Sequence, residues 1–261
     1  MISVFGDESS STVHATYGLF AIADGHLPAL ERFVSATRSM LGASGTEPLH
    51  CKVLFHGSRR AKSAFKNSSS ADIEKACAIL LQQINSLNVA FYFGRVARDK
   101  APKILHVPLA SDKDQSEVID ARLKLELPHL QLFAYGAAAT RACHTLPEPA
   151  TRVVVDQNKS VIRWFNENRQ ASRLLQSLFM DARLPKWPAV TLADDANQPG
   201  LQVADVLTYY ATKQFFDPRF AYAFDVIRHK TQFMVHEFDP QVRQPYIPPP
   251  GVIVKPLANK R

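Results

Sequence analysis

The opening segment of the chain constrains its fold more than any other stretch. Residues 2–5 are Ile-Ser-Val-Phe, a β-branched and aromatic pattern that is typical of a half-buried strand, and two carboxylates, Asp7 and Glu8, follow closely. A run of serine and threonine then leads into a second apolar stretch at residues 17–23. We therefore predict two neighbouring strands at the start of the chain, with an acid pair led by Asp7 at the end of the first strand.

Later segments predict the rest of a sheet and the helices that cover it. Apolar runs at residues 89–96, 152–156 and 190–193 predict three further strands. Helical periodicity predicts helices at residues 28–41, 72–87, 161–180 and 201–211, and at 115–144 with a break or kink at Pro128. This order predicts an α/β fold with a mixed five-stranded sheet flanked by helices, and a helical insertion between strands 2 and 3.

Composition narrows the class of protein. The chain has 261 residues, of which 46% are hydrophobic, enough for a full core, and its net charge of +7 favours an anionic partner such as nucleic acid. Three cysteines without a Cys-x-x-Cys pair are typical of reduced thiols in a cytoplasmic protein. The acidic N-terminus differs from a secretory signal, and no apolar run reaches the roughly 20 residues of a membrane span. We expect a cytoplasmic protein that does not bind membranes.

Three aspartates occur where an ionised carboxylate needs a partner. Asp7 and Asp156 each follow a predicted strand, and Asp205 lies in a predicted helix whose neighbours are almost all apolar. Each of them alone is also typical of a turn, a helix cap or a salt bridge. If the first and fourth strands are neighbours, however, their carboxylates lie close together, and like charges at that distance destabilise one another. Mg²⁺ or Mn²⁺ would relieve this repulsion, and two such ions can support phosphodiester cleavage.

Several segments together resemble the DUF3800 family, whose members have a ribonuclease H-like fold. The matching segments are Gly6-Asp7-Glu8-Ser9, Leu49-His50-Cys51-Lys52, Val153-Val154-Val155-Asp156 and residues 199–207. The resemblance implies a ribonuclease H-like domain over residues 1–215, with a helical and basic-loop insertion at 43–87. Residues 216–261 then form a C-terminal extension with a Pro-rich basic tail. The chain departs from the family at Pro48, where a glutamate is usual, and Glu47 is one residue out of register.

The resemblance also implies roles for individual residues. It implies that the metal ligands are Asp7, Asp156 and Asp205, and that Glu8 and His50 complete the catalytic set. The expected substrate-binding residues are Gln202, Lys52, Arg59 and Arg60. The basic segment that holds the two arginines can follow a nucleic-acid backbone, although a solvated basic loop is an equally good interpretation.

We interpret the chain as a Mg²⁺- or Mn²⁺-dependent nuclease that hydrolyses phosphodiester bonds in nucleic acid. The alternative is a catalytically inactive nucleic-acid-binding or protein-interaction module of the same fold. An actin-like ATP-binding protein is disfavoured because the chain has only 10 glycines and no Gly-rich phosphate loop. A phosphatase of the haloacid dehalogenase type would need Asp-x-Asp after the first strand. The choice between DNA and RNA, between endonuclease and exonuclease, and between monomer, homo-oligomer and complex with another protein stays open.

Overall fold

A mixed β-sheet forms the centre of the fold. The computed structural model describes residues 1–43, 47–110, 117–156, 187–188, 190–238 and 253–256. Within these residues the strands are β1 (Ile2–Ser10), β2 (His14–Ala23), β3 (Val89–Ala97), β4 (Ile104–Ala110), β5 (Glu117–Lys124), β6 (Ala150–Asp156), β7 (Val190–Ala193), β8 (Thr231–His236) and β9 (Ile253–Pro256). The central sheet has six strands in the order β7-β6-β1-β2-β3-β8. The α/β class and the mixed sheet are thus confirmed.

The directions of the strands follow the connections between them. β1, β2 and β3 pair antiparallel, whereas β6 pairs parallel with β1, β7 parallel with β6, and β8 parallel with β3. Our expectation of five strands was wrong. β8 is a sixth strand, and it lies beyond the expected domain end at residue 215 because the chain returns through a helix to pair with β3.

Helices cover both faces of the sheet. Their bounds are α1 (Leu27–Met40), α2 (Cys51–Leu54), α3 (Gly57–Arg60), α4 (Ser70–Asn85), α5 (Leu127–Thr145), α6 (Pro199–Lys213) and α7 (Pro218–Arg228). The first four lie between β2 and β3, and three of them, α2, α3 and α4, fall within the expected insertion at residues 43–87. The segment expected to be a basic loop contains α3 and further turns. None of the described helices is long and apolar enough to cross a membrane.

Two hydrophobic cores lie on opposite sides of the sheet. On one side, here called the α6 face, Phe5, Phe20 and Phe91 pack with residues of α1, α4, α6 and α7. On the other side, here called the α5 face, Val4 and Leu19 pack with residues of α5. Successive residues of a strand point to opposite faces, so each strand contributes to both cores. This alternation decides which side chains can meet at a site.

A second, smaller sheet replaces the first part of the helix predicted over residues 115–144. Strand β5 lies there and pairs antiparallel with β4 and parallel with β9. The helix of this segment begins only at Leu127, and Pro128 lies in its first turn instead of kinking it. Proline suits that position because the first helical N–H groups have no partner within the helix. The predicted helix at 161–180 lies outside the described residues.

Candidate functional site

Asp7 lies within β1, not at its end. The strand continues to Ser10, and Asp7 is opposite Gly18 of β2. Asp7 therefore shares the α6 face with Phe5, whereas Glu8, opposite Tyr17, points to the α5 face. Our expectation of an acid pair at the end of the first strand was wrong, because the pleat of the strand separates the two carboxylates across the sheet.

The carboxylate beside Asp7 on the α6 face is that of Asp156, not that of Glu8. β1 and β6 are parallel neighbours, which meets the condition set by the sequence argument, and Gly6 pairs with Val155, so Asp156 comes next to Asp7 in the same register. Val154, two residues earlier, packs in the core of the α6 face. Asp156, at the half-buried end of β6, consequently points to the same face as Asp7.

Helix α6 brings the third aspartate onto this face. It packs close to the sheet at Gly18, where a Cβ atom would overlap the side chains of Thr208 and Phe91. Asp205 lies one turn before Thr208 and is buried, with 7% of its surface exposed. Its carboxylate is hydrogen-bonded to Asp7. The three predicted metal ligands therefore gather on the α6 face.

The same helix fixes the segment that contains His50. Asp205 Oδ2 accepts a hydrogen bond of 2.6 Å from the backbone N–H of Cys51, and it lies 3.1 Å from His50 Nδ1. One turn earlier, Gln202 Oε1 accepts a hydrogen bond of 3.1 Å from the backbone N–H of Leu49. Gln202 and Asp205 thus hold residues 49–51 against α6 and place the imidazole at the edge of the aspartate cluster.

The electrostatics of the cluster depend on the contact between Asp7 and Asp205. Burial, together with the charges of Asp205 and Glu8, raises the pKa of Asp7 well above its usual range. Burial also acts to raise the pKa of Asp205, but hydrogen bonds from His50, Asp7 and the Cys51 amide outweigh it and lower this pKa. A proton shared between the two carboxyl groups makes this contact possible. The hydrogen bond to Asp205 raises the pKa of His50, against the opposing effect of its burial.

Asp195 is a further carboxylate that our sequence argument missed. It begins a 3-10 helix, Asp195–Asn197, shortly after β7, and its backbone carbonyl accepts a hydrogen bond of 2.9 Å from Gln202 Nε2. Burial raises the pKa of Asp195 to about 6; His50 opposes this shift, while the charge of Asp156 adds to it. The signal was present in the sequence, because Asp195 follows a strand that is parallel to β6, just as Asp156 ends β6 itself.

The predicted substrate-binding residues have different surroundings. Both ends of the Gln202 amide are engaged by the backbone, which gives this side chain a positioning role. Arg60 donates a hydrogen bond of 2.7 Å to the carbonyl oxygen of Leu54 and so braces the insertion. Lys52 and Arg59 are exposed. Substrate binding by these four residues stays a prediction.

Glu47 is directed to the insertion and not to the aspartates. Its Oε2 accepts a hydrogen bond of 2.6 Å from the backbone N–H of Ala64. It thereby links the segment before α2 to the turns after α3. The further carboxylate that interacts electrostatically with Asp156 and His50 is Asp195.

The site fits Mg²⁺ or Mn²⁺ in ligand type but does not present a complete set of ligands. Carboxylate oxygens are the ligands that both ions prefer, and a cation can replace the proton between two buried carboxylates such as Asp7 and Asp205. Among the described residues, however, no group of three or more His, Cys, Asp or Glu side chains is arranged to hold a metal ion. Two carboxylates are in contact, and the third, Asp156, lies beside Asp7 in the strand register and adds to the rise of its pKa.

No protein-family model matches the chain. No curated protein matches its sequence. The resemblance to the DUF3800 family therefore stays a prediction, and the function has to be argued from the site.

Proposed function

We propose that this protein is a Mg²⁺- or Mn²⁺-dependent nuclease that hydrolyses phosphodiester bonds at the cluster of Asp7, Asp156 and Asp205. One observation carries the proposal: the register of β1 and β6 and the packing of α6 bring three aspartates from distant parts of the chain onto one face. Burying like charges together is unfavourable, and a divalent cation offsets that cost. The net charge of +7 supports an anionic substrate.

We further propose that the core is ribonuclease H-like, as the resemblance to the DUF3800 family implies. Three antiparallel strands, β1 to β3, are extended on the side of β1 by the parallel strands β6 and β7. This is the arrangement expected of a ribonuclease H-like sheet, with β8 as an addition at the far edge.

Different residues would have different roles in hydrolysis. Asp7 and Asp205 would hold the ion, with Asp156 as the third ligand. A bound Mg²⁺ or Mn²⁺ would activate water and stabilise negative charge on the phosphate. His50 has its Nδ1 against Asp205 and 32% of its side chain exposed, so Nε2 can donate a proton to the leaving oxygen. The raised pKa of His50 keeps the imidazole protonated further toward neutral pH.

A second candidate is a nucleic-acid-binding module without catalysis. The specific observation in its favour is that Asp205 already accepts hydrogen bonds from the Cys51 amide and from His50. Asp205 would then hold residues 49–51 in place, and the described side chains would need no metal ion.

Cleavage assays with one site variant and one matched control test the proposal. Labelled single-stranded and double-stranded DNA and RNA are incubated with Mg²⁺ or Mn²⁺ and with wild-type protein, Asp7→Asn or Asp225→Asn. Asp225 is an aspartate on α7 whose side chain is 71% exposed and pairs with Arg228 on the surface. We expect cleavage by the wild type and by Asp225→Asn, but none by Asp7→Asn.

Other outcomes would favour different conclusions. If the wild type binds nucleic acid without cutting it, and Asp7→Asn binds equally well, the protein is a binding module. If Asp7→Asn cuts as fast as the wild type, the aspartate cluster is not the catalytic site.

A further inference from the structure

A group of exposed and half-buried aromatic and basic side chains lies at the end of the sheet where β1 turns into β2. Phe215 and Phe216, directly after α6, have 44% and 52% of their surface exposed. Rings of this size are usually buried in a protein without a partner at that surface. We call this group the hairpin patch; its members are His14, Arg95, Arg98, Lys213, Phe215 and Phe216.

Contacts within the hairpin patch join its rings to its cations. The guanidinium carbon of Arg95 lies 4.9 Å from the centre of the Phe215 ring. The ring of His14 lies 6.1 Å from both Phe215 and Phe216. Arg98 donates a hydrogen bond of 2.8 Å to the carbonyl oxygen of Ser11 and so lies over the turn between the two strands.

The net charge of the hairpin patch is positive. Arg95, Arg98 and Lys213 carry three positive charges. The negative charge of Asp99 acts to raise the pKa of His14, so one carboxylate lies near the patch. Asp217 is close to Lys213, but its carboxylate is paired with Arg219 at 2.8 Å. The patch therefore suits an anionic ligand that also has flat apolar faces.

Helix α6 links the hairpin patch to the aspartates. Asp205, Tyr209 and Lys213 follow one another at intervals of four residues and so form one stripe along the helix. The ammonium nitrogen of Lys213 lies 5.5 Å from the centre of the Tyr209 ring. At a rise of 1.5 Å per residue, the stripe covers about 12 Å. A few nucleotides of an extended strand span that distance.

We propose that the hairpin patch binds an unpaired stretch of nucleic acid and leads it along α6 to the aspartates. This inference rests on the proposed nuclease function for its direction toward the site. Bases of a single strand have free faces that stack on exposed aromatic rings, while arginine and lysine bind the phosphates. Bases inside a duplex already stack on one another, so exposed Phe215 and Phe216 favour the single strand.

Binding measured without catalysis tests the hairpin patch by itself. Fluorescence anisotropy follows labelled single strands of DNA and RNA, and the matching duplexes, in EDTA so that no cleavage occurs. In Phe215→Leu/Phe216→Leu the apolar bulk stays but the flat ring faces are removed. Tyr222→Leu is the matched control, because Tyr222 is an aromatic on α7 with 86% of its surface exposed. We expect the double variant to bind single strands about tenfold more weakly or worse, and Tyr222→Leu to bind as the wild type.

A second variant covers the case in which the double leucine variant does not fold. Thermal melting by circular dichroism checks the fold of every variant. Arg95→Gln/Lys213→Gln keeps both phenylalanines and removes two cations that would bind phosphates. We expect the slope of log Kd against log salt to fall by about 0.7 for each phosphate of a single strand that the variant no longer neutralises.

Three outcomes would overturn the proposal. Full single-strand affinity in a folded Phe215→Leu/Phe216→Leu variant would do so, as would duplex binding that is as tight as single-strand binding. A wild-type dimer that Phe215→Ala/Phe216→Ala converts to a monomer, without any change in oligonucleotide binding, would assign the hairpin patch to a second copy of the chain.

A small substrate separates this proposal from the nuclease proposal. Bis(p-nitrophenyl) phosphate is too short to reach from the aspartates to the hairpin patch. Phe215→Leu/Phe216→Leu should hydrolyse it like the wild type while it loses single-strand affinity. If the wild type binds single strands through the patch but hydrolyses neither substrate, the nuclease proposal fails and the binding surface remains.

Discussion

The two faces of the sheet are built alike but differ in charge. On each face a helix approaches a strand at a glycine: α6 at Gly18, where Thr208 fills the space, and α5 at Gly94, where the backbone of Ala134 does. The α6 face then gathers Asp7, Asp156 and Asp205. The α5 face holds Glu8 among aromatic side chains. Close helix packing therefore accompanies a site on only one of the two faces.

On the α5 face the buried acid Glu8 lies beside aromatic side chains. Glu8 is opposite Tyr17, whose ring makes an edge contact with Tyr135 at 5.1 Å. The Tyr135 hydroxyl accepts a hydrogen bond of 3.0 Å from Trp187 Nε1, and burial raises the pKa of Tyr135 to about 12. These neighbours are neutral polar and aromatic groups, which suit a structural role for Glu8. Adjacent residues of one strand point to opposite faces of the sheet, so Asp7 and Glu8 can have unrelated functions.

The largest expected effect is on activity, and it distinguishes the two faces directly. Asp7→Asn should lower metal-dependent cleavage by about 100-fold or more, because it removes a carboxylate that would hold the metal ion at the reacting centre. Glu8→Gln, on the α5 face, should retain cleavage within a few fold. Initial rates on one labelled substrate at saturating Mg²⁺ compare the two variants. A loss in Glu8→Gln as large as that in Asp7→Asn would show that the site extends through the sheet.

Substituting the two glycines at the helix contacts should lower the free energy of unfolding by different amounts. In Gly94→Ala the new methyl group meets the Ala134 carbonyl, which belongs to the backbone and cannot rotate away, so we expect a loss of about 3 kcal/mol. In Gly18→Ala the methyl group meets side chains, and removing one of them in Gly18→Ala/Thr208→Ala should recover part of the loss. Thr208 Oγ1 is buried without a hydrogen-bond partner in the described part of the chain, so its removal costs little. Urea unfolding measures each free energy; equal losses without recovery would contradict this comparison.

Within the α6 face, the two bonded aspartates should affect stability in opposite directions. The pKa of Asp7 is higher in the folded protein than in the unfolded chain. As the pH rises above the pKa of the unfolded chain, Asp7 ionises there but not in the folded protein, and the free energy of unfolding falls. Asp7→Asn removes this cost and should stabilise the protein at neutral pH, with the gain fading below about pH 4. The pKa of Asp205 is lowered, so Asp205 contributes stability above its unfolded pKa and loses it as the pH falls. Asp205→Asn should therefore cost about 1–3 kcal/mol at neutral pH.

Urea unfolding of both variants across pH 4 to 8 checks these signs. Asp225→Asn serves as the control, since an exposed pair such as Asp225–Arg228 contributes little. Destabilisation by Asp7→Asn at neutral pH would mean that Asp7 is held ionised by a partner of opposite charge.

Much of the central sheet could be predicted because its strands carry strong local signals. Residues 152–156 form a β-branched run, and residues 89–96 are rich in aromatics, so the patterns matched β6 and β3 closely. The pairing of β1 with β6 was only a condition of the sequence argument; the structure shows it to be parallel, and it accounts for the position of Asp156 beside Asp7. These are the parts of the site that depend on one strand and its neighbour.

The remaining elements depend on contacts that the local sequence does not reveal. β5 lies in a segment whose periodicity favoured a helix, and it becomes a strand because it pairs with β4 and β9. The face on which Asp7 lies depends on where β1 ends, and the position of a strand end is the weakest part of such a prediction. Pairing with β2 carries β1 on to Ser10. Asp195 was missed because we did not apply to β7 the reasoning that we had applied to β6.

The smallest expected effect concerns the cations around the site, and it sharpens the comparison between the faces. Lys52 and Arg59 are exposed on the insertion that adjoins the α6 face, whereas Arg141 is exposed on α5. If nucleic acid lies along the α6 face, Lys52→Gln/Arg59→Gln should lower the slope of log Kd against log salt by about 0.7 for each cation that binds a phosphate of a single strand. Arg141→Gln should leave the slope unchanged, because it removes an equal charge from the opposite face. If the double variant and the wild type have equal slopes, Lys52 and Arg59 do not bind phosphates. If the slope falls as much in Arg141→Gln as in the double variant, the nucleic acid is not confined to the α6 face.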